Sequence, residues 1–180
     1  MAESSSSDEL RLVLLAQTDD RAAVEALFLK VQSSLFRYIS GLVGEQAAGD
    51  VLQDVFVKIW RNIRWLHNPE VFRPWAYRIA SRASFEFLKR ERRWSGQLSP
   101  DATPEELPDP HGLPVPELLA GLDALLDGLS PASRAVLLLH YGQDLPIEDV
   151  AAILDINVGT AKSRLAYGLA CLRKHTQKER

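Results

Sequence analysis

The sequence predicts an all-α fold of two small helical domains joined by a linker. Three observations carry that reading. Apolar residues recur at three- and four-residue steps in both halves of the chain. No run of strict apolar–polar alternation is long enough to argue for a sheet. Six of the ten prolines fall between Pro100 and Pro116, in SPDATPEELPDPHGLPVP. Proline lacks a backbone donor and fixes φ, so this stretch can continue neither a helix nor a central strand. Residues 1–7 are expected as a disordered tail, 8–94 as the larger domain, 95–114 as a flexible acidic linker, and 115–180 as the smaller domain.

Taken in order, AAVEALFLKVQSSLFRYISGL places Val24, Leu27, Phe28, Val31, Leu35 and Ile39 on one stripe. The next helix, GDVLQDVFVKIWRNI, repeats the spacing with Ala48, Leu52, Val55, Phe56, Ile59 and Ile63. Asp50, Gln53, Asp54, Val57 and Arg61 then project from its other faces. After HNPEVFRP, Pro74 can open a further helix with Trp75, Ile79 and Ala83 in register. Beyond the linker, PELLAGLDALLDGL reads as a short amphipathic helix. In SPASRAVLLLHY, Ser130 is a candidate N-cap and Pro131 suits the first helical position. PIEDVAAILD, with Val150, Ala151 and Leu154 inward, precedes NVGTAKSRLAYGLACLRK, for which Asn157 is a reasonable cap. Two short helices joined by a tight turn, the second carrying the basic residues, make a helix-turn-helix pattern.

Composition narrows the function classes. Apolar residues at 46% and charged residues at 25% are ordinary for a soluble globular chain. No secretory leader and no membrane-length apolar run is found, and one cysteine, Cys171, fits a reducing cytoplasm. The four histidines are scattered, and neither a Gly-rich phosphate loop nor a nucleophile elbow is present, so neither catalysis nor a cofactor is expected. The net charge of −3 hides strong blocks. Residues 58–93 carry ten bases against three acids, residues 101–155 one base against eleven acids, and residues 162–180 six bases against one acid. Two basic blocks separated by an acidic one suit two contacts with a polyanion, although solvated faces alone would give the same pattern.

All four tryptophans (Trp60, Trp65, Trp75, Trp94) lie in the first basic block, interleaved with arginines. Basic groups track phosphates, and aromatics offer stacking platforms for unpaired bases. Core packing is the expectation for Trp60 and Trp75, whereas Trp65, Tyr77 and the loop HNPEVFRP are freer to touch a ligand. In the last helix Ala161, Leu165, Leu169 and Leu172 form the packing stripe. Thr160, Ser163, Arg164 and Tyr167 fall away from it, and Lys162 lies on its flank. A helix that reads DNA and a helix whose polar face meets water are both compatible with this string alone.

Taken together, DVLQDVFVKIW, then RPWAYRIASRASFEFLKRERR, then the acidic Pro-rich linker, then VGTAKSRL resemble a bacterial RNA polymerase sigma factor. The group is the sigma-70 family in its small extracytoplasmic-function (ECF) form, and the resemblance spans residues 8–175. It implies a region 2-like domain followed by a region 4-like helix-turn-helix, acting in the cytoplasm without catalysis. Asp50, Gln53, Asp54 and Val57 would contact core RNA polymerase. Asn68, Arg73, Tyr77, Arg78 and Arg82 would meet the −10 element of promoter DNA, and Thr160, Lys162, Ser163 and Arg164 the −35 element. Apolar and acidic surface on both domains leaves room for an anti-sigma factor, which nothing in the sequence specifies. Where the family often has Asn and, four residues on, Asp, this chain has Arg82 and Glu86. Ala161 replaces a larger core residue, and AYGLA lacks arginines and carries Gly168, at a helix cost of about 1 kcal/mol. Weak −35 binding is therefore expected. The alternative is a stand-alone helix-turn-helix transcriptional regulator of the response-regulator type. The N-terminal half has neither a receiver-like pattern nor the long heptads such a protein would need.

Overall fold

The computed structural model describes residues 2–94 and 129–178. The expected linker and the PELLAGLDALLDGL helix lie outside them. All regular structure among the described residues is helical: α1 (Ala2–Ala16), α2 (Arg21–Val43), α3 (Glu45–Asn62), α4 (Phe72–Trp94), α5 (Pro131–His140), α6 (Ile147–Leu154) and α7 (Val158–Lys178). The chain separates into two compact units, Met1–Phe87 and Leu88–Arg180. That division falls within α4, ahead of the expected domain end at residue 94. From Lys89 to Arg93 the α4 side chains are exposed and add nothing to a core.

In the first unit Val13, Leu27, Val31, Leu35, Tyr38, Ile39, Leu42, Val55, Ile59 and Phe72 are almost fully buried. Each large side chain so placed contributes about 1.5–3 kcal/mol of transfer free energy. Asp20 caps α2 by accepting from the Ala23 N–H at 3.1 Å. Gly44, at φ 84°, ends α2 and begins α3 in a conformation that side-chain-bearing residues rarely adopt. The disordered tail expected over residues 1–7 is instead helical from Ala2 onward. With Val13 and Ala16 anchored in the core, each further turn of α1 adds hydrogen bonds without a new nucleation cost.

In the second unit Ser130 accepts from the Ser133 N–H at 3.3 Å and Pro131 opens α5, as the sequence predicts. Val150, Ala151 and Ile153 are the buried residues of α6, with Ile153 taking the place expected for Leu154. Asp155, in the left-handed region, ends α6, and Asn157 starts α7 by accepting from the Thr160 N–H at 2.7 Å. Asp144, between α5 and α6, also has a positive φ of 53°. An L-residue there loses about 1–2 kcal/mol to crowding, and glycine's greater unfolded-state freedom offsets about half. Asp144→Gly is therefore expected to stabilise the second unit by about 0.5–1 kcal/mol. Slower hydrogen exchange of α5 and α6 amides would confirm the gain, and faster exchange would refute it.

Candidate nucleic-acid and protein interfaces

On α3 the four residues expected at the polymerase, Asp50, Gln53, Asp54 and Val57, are all exposed. Gln53 and Val57 also line an open groove of about 440 Å³ between α2 and α3, together with Phe28, Leu29, Gln32, Phe56 and Trp60. Asp50 and Asp54 lie outside that lining. The Phe28 and Phe56 rings stack at 4.3 Å and 9° within it. Trp60, expected in the core, is 56% exposed. Ile59 and Ile63 already occupy the buried positions beside it, which leaves the indole one turn beyond Phe56 on the groove side. Leu29 is exposed as well, so the groove presents an apolar surface with Asp19, Arg21 and Glu25 also in its lining.

The residues expected at the −10 element are dispersed in environment. Asn68 is exposed in the α3–α4 loop, and its side-chain oxygen accepts from the Glu70 N–H at 3.0 Å. Arg73, near the start of α4, makes a two-point ion pair with Glu9 of α1, its Nε donating to Oε1 at 2.9 Å. Arg78 is half-buried and Arg82 exposed. Glu86, one turn beyond Arg82, is paired with Lys58 at 3.0 Å.

Tyr77, expected to be free to touch a ligand, is instead only 4% exposed. Its ring meets Tyr38 edge-on at 5.5 Å. Ser81 Oγ donates to the Tyr77 carbonyl at 2.7 Å, so Tyr38 donates to Ser81, also at 2.7 Å. Burial pushes both phenols above the usual tyrosine range. Tyr77 is a core residue in this structure. The exposed aromatic in this region is Trp65, 65% accessible, with the Arg64 guanidinium 5.2 Å from its ring centre. Val71 is exposed at the far side of the loop. Trp65, free of the helical stripe by its spacing, stands outside the residues expected at the −10 element; helical periodicity is lost after Ile63, which is the signal in the sequence for its exposure.

In the second unit Lys162 and Ser163 are exposed on the first turns of α7, and Thr160 and Arg164 are half-buried one turn apart. Ala161, Leu169 and Leu172 are buried as expected, while Leu165 is half-buried. Gly168 has a reason the sequence did not supply. A Cβ built there would stand 2.5 Å from Leu137 Cδ1 and 3.0 Å from its Cγ, so a larger residue would require the Leu137 side chain to shift. Among the described residues no group of three His, Cys, Asp or Glu is placed to hold a metal ion. No described helix is long and apolar enough to cross a membrane.

Comparisons with known proteins agree with this geometry. The profile of Sigma-70 region 2 matches residues 27–94, and that of Sigma-70, region 4 matches residues 119–172. The ECF RNA polymerase sigma factor SigE of Mycolicibacterium smegmatis is 30% identical over 169 residues, covering 89% of this chain and 65% of that protein. The chain thus spans about two thirds of that relative's length. The ECF RNA polymerase sigma-E factor of Escherichia coli is 27% identical, with 86% of both chains covered. Among solved structures, CnrH in complex with the cytosolic domain of CnrY superposes with a TM-score of 0.70 at 21% identity, covering 96% of this chain and 99% of that one. With both regions matched in order on an all-helical fold, the chain belongs to the sigma-70 family, in its ECF group.

Proposed function

We propose that this chain is a non-enzymatic, cytoplasmic subunit that gives bacterial core RNA polymerase its promoter specificity. The observation that carries the reading is the exposed apolar groove on the region 2 unit, with Asp19 and Glu25 in its lining. A surface of this kind on a folded unit marks a protein partner. Here the partner is core polymerase, contacted by Gln53, Val57 and the groove aromatics, with Asp50 and Asp54 outside. The loop around Asn68, with Arg78, Arg82 and Trp65, then meets the −10 element, and Lys162, Ser163, Thr160 and Arg164 the −35 element. An anti-sigma factor would compete for the same exposed surfaces. Run-off transcription with core polymerase on a library of genomic fragments tests the proposal. Start sites sharing −35 and −10 sequences are expected. No initiation, together with no co-elution with core polymerase, would end it.

Within the −35 reading, Arg164 and Lys162 have different expected roles. Arginine can pair with guanine through two hydrogen bonds, whereas an exposed lysine neutralises phosphate. Arg164→Ala should cost about 1–3 kcal/mol at one base pair and relax preference there. Lys162→Ala should weaken binding evenly across sequences and lower the salt slope by about one. Equal losses on every promoter variant for both substitutions would refute this division.

A further inference from the structure

The α3–α4 loop is held at both ends by one helix. Its flanking apolar residues, Leu66 and Phe72, are buried, while His67, Asn68, Glu70 and Val71 between them are exposed. Gln17, directly after α1, uses its Nε2 to donate to the carbonyls of Ile63 at 3.1 Å and Leu66 at 2.7 Å, where the chain leaves α3. At the other end Glu9 of α1 grips Arg73 through both carboxylate oxygens. Gln17 lies eight residues beyond Glu9 in the chain, about 12 Å at helical rise. A stiff rod thus spans the two loop ends. A loop fixed only by its own turn would carry Asn68 and Trp65 over a range of positions, since short polar loops open readily.

We propose that Gln17, assisted by Glu9, is the positioning residue of this loop, fixing how Asn68 and its neighbours meet an unpaired DNA strand. The inference rests on the −10 reading above and gives α1 a part in base preference without touching DNA. Gln17→Leu roughly keeps the side chain's bulk and helix propensity but deletes both N–H donors. Gln17→Lys keeps N–H donors on a stem that reaches.

The full chain, loaded on core polymerase, would sort a pool of short single-stranded DNA with a randomised centre, and sequencing would read base preference. Gln17→Leu is expected to flatten the preference about tenfold, the scale of one or two lost hydrogen bonds. Gln17→Lys should restore most of it and Glu9→Gln should fall between, with loading on core polymerase equal for all. If Gln17→Leu sorts like the parent while Asn68→Ala loses preference, the positioning role is overturned and the −10 reading stands. If neither Asn68→Ala nor Arg82→Ala changes the sorting, the −10 reading falls and this inference with it. Should Gln17→Leu fail to fold, Glu9→Gln decides, and sorting identical to the parent overturns the proposal.

Discussion

Trp60→Ala is expected to weaken binding to core polymerase by about 30-fold or more and to leave the fold nearly as stable as before. The two halves of that expectation have one cause. Trp60 is more than half exposed, so truncating it removes little that folding buries. Its indole borders an apolar groove with the stacked Phe28–Phe56 pair, the setting in which interface tryptophans contribute 2 kcal/mol or more, each 1.4 kcal/mol being about tenfold. Leu27→Ala offers the contrast, since Leu27 is fully buried and its truncation should cost about 2–5 kcal/mol of stability. Competition titration against core polymerase, paired with thermal unfolding, separates the two. Parent-like affinity would remove the groove from the polymerase interface. A loss of stability like that of Leu27→Ala would make Trp60 a folding residue after all.

Gly168→Val should destabilise the second unit by about 2 kcal/mol, although valine is the better helix former. Replacing glycine inside a helix gains somewhat under 1 kcal/mol. Overpacking typically costs about 1–3 kcal/mol, and here the new side chain meets Leu137, itself buried among α5 residues. The crowding term is expected to win because Leu137, 2% exposed, must give way inside the core rather than into solvent. Combined with Leu137→Ala, the same substitution should lose about 1 kcal/mol less than the two single effects add up to. Hydrogen exchange of α5 and α7 amides in the full chain measures this without requiring both units to unfold together. Strict additivity, or slower exchange in Gly168→Val, would show that the close approach is not what keeps glycine there.

Gly168 also shows where the sequence is legible and where it is not. Local rules find the caps at Ser130 and Asn157, the proline opening α5 and most of the core stripes of α2 and α3, because each depends on residues within a turn or two; Val24, Phe28 and Phe56 of those stripes instead line the groove. The glycine looked like a helix defect, because its reason is a side chain on another helix. The aromatics exchanged places for a related cause. Val55 and Ile59 of α3, with Ile63 directly after it, fill the buried stripe, so Trp60 is turned outward. On α4 the stripe holds Ala76, Ala80 and Ala83, too small to fill the interior, and Tyr77 takes the vacant volume against Tyr38. Periodicity reports direction but not volume. Partners across long sequence separations, such as Glu9 for Arg73 and Gln17 for the α3 exit, leave no trace in local spacing. The four α3 positions were legible because exposure follows from helical phase alone.

Gly44 has a consequence in the order of events. A single residue turns the chain from α2 into α3, so the segment closed when Phe28 reaches Phe56 is almost wholly helix. Little loop entropy is lost in that closure, and contacts local in sequence are the fast ones to form. During synthesis the residues of the groove, ending at Trp60, are complete before those of the second unit are made. The nascent protein thus holds the whole sequence of this groove well before the ribosome has made the helix-turn-helix.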